Sequence, residues 1–482
     1  MIKRKITTCL LIACLVLTAA LTAGCGSQAA PESSAQTKEQ LADKISSKID
    51  AYKTDLLDSQ SGVKSNSDIR EYLTGWAKAK GVSYTSDDNG NVIMKASASA
   101  GYKEAQPVVI CCPYDADQYL NYTNPIALSL YTIKNYEKTA PLTVIFIPER
   151  SHEFTGIRKL SSKYFTDESR VICLNDAQTG GISLNSGAGS LYEFSHNITR
   201  VAPEYSAAYK ISFKGIPTGQ PGFDVERQMN PITRLNSLLA SMKNKNISYE
   251  IADFHGGISS GLYAPSASMT IVIDQNKEEK FTEMMDKSLE SFSEKHAESD
   301  PEMKYTYKKV KTPAAVISGD DRDQFVSFMY TLLDGKYYTD DDGNLISITN
   351  ISKAVIGKDK ITVNTAAYSL SETSLKEIDT DEKTLASLSN INFRITGTIP
   401  MWRGNADDDY TEALADAYKA STGKSLTYTD SVTPTAASYV QKKNSKAQII
   451  SMTLSDNILK DCTQTVIRYL IDSGAHTDEG QN

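Results

Sequence analysis

The chain has 482 residues, 51 Lys and Arg against 59 Asp and Glu for a net charge of −8, and 40% hydrophobic residues. That acidic balance argues against nucleic acid and against a basic, membrane-adhering face as partners. The length exceeds what one hydrophobic core usually supports, so two or three domains are expected.

Residues 1–24 carry Lys3, Arg4 and Lys5 with no acid, followed by an apolar run over 9–20 that is short for a bilayer span. That is the pattern of a signal peptide. It ends in Leu21-Thr22-Ala23-Gly24-Cys25, small residues ahead of a cysteine, similar to a bacterial lipobox with Thr22 where an aliphatic residue is more usual. Cys25 is therefore expected to carry a lipid that holds the protein on the extracytoplasmic face of the cell membrane. The alternative is ordinary secretory cleavage near Ala23. Losing the three leader cations takes the net charge from −8 to −11. Residues 25–39 are mostly small and polar, and suit a flexible tether. Four cysteines remain in the body, Cys111, Cys112, Cys173 and Cys462. They show no metal spacing and are expected as small buried hydrophobes.

Ser67 is placed to cap a helix with Ile69, Tyr72, Leu73 and Trp76 on one face and Gly81 as its stop. Asn89-Gly90 then turns into a strand at 92–94. Continuous apolar runs at 108–112, 142–147 and 171–174 alternate with helix-like stretches at 126–136 and 154–164. Strands apolar on both faces, alternating with helices, predict a mostly parallel sheet covered on both sides. Ligands of such sheets gather at the carboxyl ends of the strands, here 113–115, 148–151 and 175–176.

From about 207 the rhythm changes to strands at 209–213, 249–254 and 268–273 with helices at 231–242 and 277–295. A similar set follows between 323 and 396. A helix at 408–420, a strand at 448–452 and a helix at 457–471 return to the first style. The fold class is thus α/β with a mostly parallel central sheet, interrupted by an α+β layer.

With these elements placed, the strings IREYLTGWAKAKG, DNGNVIMKASASAGYKEAQPVVICCPYD, YKISFKGIPTGQPG and IADFHGGISSG stand in an order and spacing that resembles the Xaa-His (aminoacyl-histidine) dipeptidases of the two-zinc carboxypeptidase G-like peptidases. The resemblance runs from about 40 to 473. It implies a zinc-peptidase-like domain at 40–205 and 399–475, a lid at 206–398 and a tail at 476–482.

The implied chemistry departs from the family's. The family's first-ligand His-x-Asp falls on Pro113-Tyr114-Asp115, which keeps only the orienting Asp115. The bridging aspartate falls on Thr123, beside a retained Asn124. The Glu-Glu pair of general base and ligand falls on Arg150-Ser151, with the register fixed by Gly156. One metal aspartate is kept, at Asp176. The late histidine has no counterpart between Met452 and Asn457. In the lid, the oxyanion-supporting histidine falls on Gln220, which offers one neutral hydrogen bond. The segment Gly257-Ile258-Ser259-Ser260-Gly261 lacks the family's substrate-binding Arg and Asn.

Hence no catalytic residue and no metal are expected, Asp176 being the lone matching ligand; zinc would return as a cofactor only if the inactive reading fails. A two-residue slip onto His152-Glu153 would restore an acid near the Glu-Glu position. Arg150 is expected to pair with Asp115 or Asp176 in place of the metal. His255 is read as a turn residue, and His196, His296 and His476 as surface residues. Tyr114, Tyr119 and Tyr122 fall near the metal position, where ring faces with hydroxyl tips suit peptide or sugar contacts. Three functions follow: an inactive lipoprotein binding a peptide or envelope component in the cleft, a peptidase with a rebuilt metal site, and an envelope scaffold with a filled cleft. A dimer through the lid stays open.

Overall fold

The computed structural model describes residues 38–135, 140–149, 154–175, 181–222, 229–296, 298 and 300–475. The leader, Cys25 and most of the tether, and also Arg150, Ser151, His152, Glu153, Asp176 and His476, lie outside the described residues. No described helix is long and apolar enough to cross a membrane.

The chain opens with α1 (Lys38–Ser59), which the sequence reading did not anticipate, although Ile45, Ile49 and Leu56 recur at helical spacing and are buried. In α2 (Asn66–Lys80) the cap is Ser65, not Ser67. Ser65 and Asp68 form a reciprocal capping box, and Gly81 ends the helix at φ 67°, a conformation glycine adopts without a Cβ clash. Then come β1 (Ser83–Ser86), β2 (Val92–Ala96), β3 (Val108–Tyr114), α3 (Tyr119–Asn135), β4 (Leu142–Pro148), α4 (Thr155–Lys159), β5 (Arg170–Asn175) and β6 (Gly181–Ser186).

A second sheet begins with β7 (Ala188–Asn197), within the stretch that the rhythm of elements had assigned to the first domain. The chain continues through β8 (Arg200–Val201), which pairs with the later strand Val316–Ile317 in a separate two-stranded sheet, then β9 (Ala207–Lys214), α5 (Pro231–Asn244), β10 (Tyr249–Gly256), β11 (Ala267–Ile273), α6 (Glu278–His296) and β12 (Lys304–Val310). The second set is β13 (Val316–Ile317), α7 (Gly319–Thr331), β14 (Gly335–Thr339), β15 (Leu345–Ile356), β16 (Lys360–Ser369), α8 (Glu372–Leu388) and β17 (Asn392–Ile399). The chain then returns with β18 (Trp402–Arg403), α9 (Asp409–Thr422), β19 (Tyr428–Ser431), α10 (Ala437–Lys443), β20 (Gln448–Thr453) and α11 (Asp456–Ala475).

The first sheet has the order β1-β2-β4-β3-β5-β20-β6-β18, with β19 on β6. Its centre, β4-β3-β5-β20, is parallel, and β2 and β6 flank it antiparallel. The second, antiparallel sheet has the order β12-β9-β11-β10-β15-β16-β7-β17, with β14 on β15. The first is the α/β layer that the sequence predicts, and the second shows that the predicted α+β lid is built on an antiparallel sheet. Cys111 and Cys112 point to opposite faces of the first sheet, Cys112 into the core under α1, α2, α3, α9 and α11, Cys111 into a core shared with lid strands through Leu191, Ile348 and Tyr368. All four body cysteines are buried and free. Each fully buried Ile or Val of the central strands contributes about 1.5–3 kcal/mol, which sets the parallel strand ends on a rigid base.

Candidate functional site

Strand β3 is buried along its whole length and runs in parallel register with β4, Pro113 lying opposite Ile147. Its pairing with β5 stops at Cys111 opposite Cys173, two residues before the proline. Pro113 therefore sits where the β5 ladder has already ended, and its missing N–H costs nothing on that side. Tyr114, next in line, donates its hydroxyl to the Gly90 carbonyl at 2.7 Å, and burial pushes this phenol well up from its ordinary pKa.

Asp115 is buried and caps a short 3-10 turn over Ala116–Gln118, its Oδ1 accepting from the Asp117 N–H at 3.1 Å. A residue that sequence reasoning missed ties this loop to the next strand end. Asn66, first in α2, accepts the Ala116 N–H at 2.7 Å and donates to the Glu149 carbonyl at 2.8 Å. The Glu149 N–H in turn donates to the Tyr114 carbonyl at 2.7 Å. One amide thus staples the carboxyl ends of β3 and β4.

Thr123 and Asn124 are both buried in α3. The Thr123 hydroxyl donates back to the Leu120 carbonyl at 2.8 Å, within its own helix. The Asn124 amide donates to the Leu454 carbonyl at 3.1 Å and to Asp456 Oδ1 at 2.8 Å. Lys53 on α1 reaches the same Oδ1 at 2.5 Å. The lysine first, and Asn124 second, hold this carboxyl below the usual aspartate range. The connection from β20 to α11 is only Leu454-Ser455; Leu454 is tied to α3, and Asp456, first in α11, to α3 and α1. At the end of β5, Asn175 donates to the Ser451 hydroxyl at 2.7 Å.

From the lid, the segment around Gln220 is held by Tyr263. The Thr218 hydroxyl donates to the Tyr263 carbonyl at 2.6 Å, the Gly222 N–H to the Tyr263 hydroxyl at 3.1 Å, and Gln220 Nε2 makes a long 3.4 Å bond to the Pro434 carbonyl. At Gly257, φ is +72° and an added Cβ would fall 1.9 Å from the Ser352 carbonyl oxygen, so this turn admits only glycine.

Several sequence expectations are corrected. Tyr114, Tyr119 and Tyr122 do not present ring faces to a ligand: they are 1%, 5% and 1% exposed. The Tyr114 and Tyr119 hydroxyls go to the carbonyls of Gly90 and Leu56, because a buried phenol needs a partner. His255 is not in a turn; it lies on β10 opposite Ser268, and the turn starts at Gly257. His296 is not at the surface, being buried with its ring 4.8 Å from that of Phe292. His196 is partly buried and bonds Asp321 at 3.0 Å. The pairing expected of Arg150 with Asp115 or Asp176 involves residues outside the described ones.

A two-zinc centre does not fit the described part of this site. A ring stands at 113, the hydroxyl at 123 is spent inside its helix, and Asn124 is turned away to the β20–α11 connection. Among the described residues, no group of three or more His, Cys, Asp or Glu is arranged to hold a metal ion. Water activation by a metal has no support in these residues.

No family model matches the chain. It is 18% identical over 389 residues to the cytosol non-specific dipeptidase of Escherichia coli (strain K12), which covers 73% of this chain and 79% of that protein. Among solved structures it is similar to the aminoacylhistidine dipeptidase from Vibrio alginolyticus, at 17% identity and a TM-score of 0.55, over 85% of this chain and 92% of that one. The chain accordingly has the fold of the aminoacylhistidine dipeptidase, an α/β layer with a separate antiparallel lid, at the distance of a remote relative.

Proposed function

We propose that this chain is a lipid-anchored, extracytoplasmic protein with a dipeptidase fold and no peptidase activity, serving the cell envelope as a binding or partner module. The observation that carries the reading is the lack of metal donors at the described strand-end positions. Where a dipeptidase would need metal donors, Pro113 supplies none and the Thr123 hydroxyl is committed to Leu120. In this reading Arg150, in place of a general base, neutralises Asp115 or Asp176.

The test is metal analysis of the purified protein beside a dipeptide hydrolysis screen with added zinc, manganese or cobalt. We expect no stoichiometric metal and no turnover. Bound metal with turnover abolished by Asp176→Ala would overturn the inactive reading. For the anchor, labelled palmitate should enter the protein and be lost in Cys25→Ala; export with a free N-terminus would refute it.

A further inference from the structure

The first lid unit follows the order strand, helix, two strands, helix, strand, which lays α5 and α6 over one face of β12-β9-β11-β10. Their inner residues are apolar and buried, Leu235, Leu239 and Met242 on α5 and Phe281, Met284 and Met285 on α6. Between the helices the residue types change. Ser237 and Ser241 from α5 meet Ser288 and Ser291 from α6 across a cavity of about 250 Å³. Leucines at such positions would close two helices against each other. Serines are too short to do so, and the gap stays open with Phe213, Phe292 and Tyr305 as its apolar lining.

The charge at this gap is of one sign. Arg234, one turn before Ser237, and Lys295, one turn after Ser291, both line it, and no Asp or Glu among the described residues does. Neither cation makes a side-chain hydrogen bond or ion pair to a described residue. His296, which also lines the gap, has Asp300 3.7 Å from its imidazole. On a chain of net charge −8, two uncommitted cations at the mouth of a polar cavity are an arrangement that attracts an anion.

The hydroxyls define the rest of the ligand. Ser237 and Ser241 donate their hydrogens to the carbonyls of Thr233 and Ser237, four residues back, at 2.9 Å each. What they present to the cavity is therefore acceptor lone pairs, which require O–H or N–H donors on the ligand. An amino acid zwitterion would bring an ammonium group beside Arg234 and Lys295 with no carboxylate to receive it. A sugar brings hydroxyl donors without that charge, and its apolar face suits Phe292. The volume lies just under the range of about 300–1,000 Å³ for drug-sized ligands, so a single ring fits and an oligomer does not.

We infer that the cleft between α5 and α6 is a binding site for a monosaccharide carrying an acidic group, a uronic acid or a sugar phosphate, with the acid at Arg234 and Lys295 and the ring hydroxyls on Ser237 and Ser241. This site is separate from the strand ends, and the inference stands whether or not the chain hydrolyses peptides.

Titration calorimetry of the full chain with glucuronate, glucose 6-phosphate, glucose, inorganic phosphate and leucine tests it. One or both acidic sugars should bind, more tightly than glucose or phosphate, and leucine should not. The variant R234Q/K295Q should weaken that binding about tenfold or more, and Ser291→Leu, which fills the gap, should abolish it. Whether glucuronate or glucose 6-phosphate binds better separates the carboxylate from the phosphate. Should the leucine variant not fold, the charge variant still decides. Absence of binding by both acidic sugars at millimolar concentration would overturn the proposal. So would equal binding of inorganic phosphate, or concentration-dependent self-association that Ser291→Leu disrupts, since the cleft would then be an ion trap or an interface between copies.

Discussion

The carboxyl ends of β3, β4 and β20 and the cleft between α5 and α6 are both places where polar side chains from several elements converge, and they are filled in opposite ways. At the strand ends, Asn66, Thr123 and Asn124 direct their side chains to backbone atoms of their own chain. In the cleft, serines line about 250 Å³, and two cations keep no described partner. Amides are long and two-ended, so one Asn can bridge two elements; the Ser237 and Ser241 hydroxyls stay within their own helix, and Ser288 reaches only the Tyr305 hydroxyl beside it. In a single chain, one polar region has become structure while the other remains available for a ligand.

The largest expected effect comes from a buried carboxyl short of hydrogen-bond partners, that of Glu382 on α8. Its side chain is fully buried, Thr365 gives it one long 3.4 Å bond, and Oε2 has no partner among the described residues. Burial first, against the Thr365 bond and with some push from Asp381, raises its pKa to about 8 from the usual 4.5. The folded state then holds a proton that the unfolded chain gives up, so this contribution is complete below pH 4.5 and is lost as pH rises to about 8. The loss is on the order of 4 kcal/mol. Urea unfolding across that range should show the decline, and Glu382→Gln should flatten it. An unchanged profile in the variant would mean that another group carries the dependence.

Next in size is a direct contrast between the two regions. At Gly156, behind β4, an added Cβ would fall 2.5 Å from both Ile147 Cγ2 and the Pro148 carbonyl oxygen. Gly156→Ala should cost about 3 kcal/mol through overpacking. Ser291→Leu adds far more volume, yet it enters the open cleft, and its effect on the urea midpoint should lie within about 0.5 kcal/mol. A comparable cost for the two would show that the cleft is not open space in solution. Asn124→Ala ranks below Gly156→Ala, at about 2 kcal/mol, because it strips the Leu454 carbonyl of a buried donor.

How much of this was readable in the sequence depended on whether the information was carried by residue type or by long-range contact. The continuous apolar runs at β3, β4 and β5 gave the parallel sheet, because a strand buried on both faces cannot alternate. The handover between sheets was not readable. Strands β6 and β7 are separated only by Gly187, whose close approach to the carbonyls of Val432 and Ser369 leaves no room for a Cβ. Alternation on either side does not say which sheet receives the strand. At the site, the want of a donor at Pro113 is a property of the residue and needed no structure. The Lys53–Asp456 pair joins positions 403 apart, and no local pattern announces it. Nor did the serines of α5 and α6, which at helical spacing look like a solvated face.

The smallest effect concerns that pair. Lys53 and Asp456 meet at 2.5 Å, but the aspartate side chain is 73% exposed and the lysine side chain 22%. Exposed pairs of this kind contribute about 0.2–1 kcal/mol, and salt screens them. The Asp456 carboxyl is held below the usual 3.8, so its contribution is present above that pH and is lost as pH falls through the lowered value. Lys53→Met should therefore lower stability by about 0.5 kcal/mol at low salt, and the difference should shrink at high salt and in acid. Asn124 bonds the same oxygen from a buried position, so Asn124→Ala should lose much more and should be insensitive to salt. If the two variants lost equal stability with equal salt dependence, the tie between α3 and the β20–α11 connection would rest on surface charge, and the contrast between side chains committed to the fold and side chains open to a ligand would lose its physical basis.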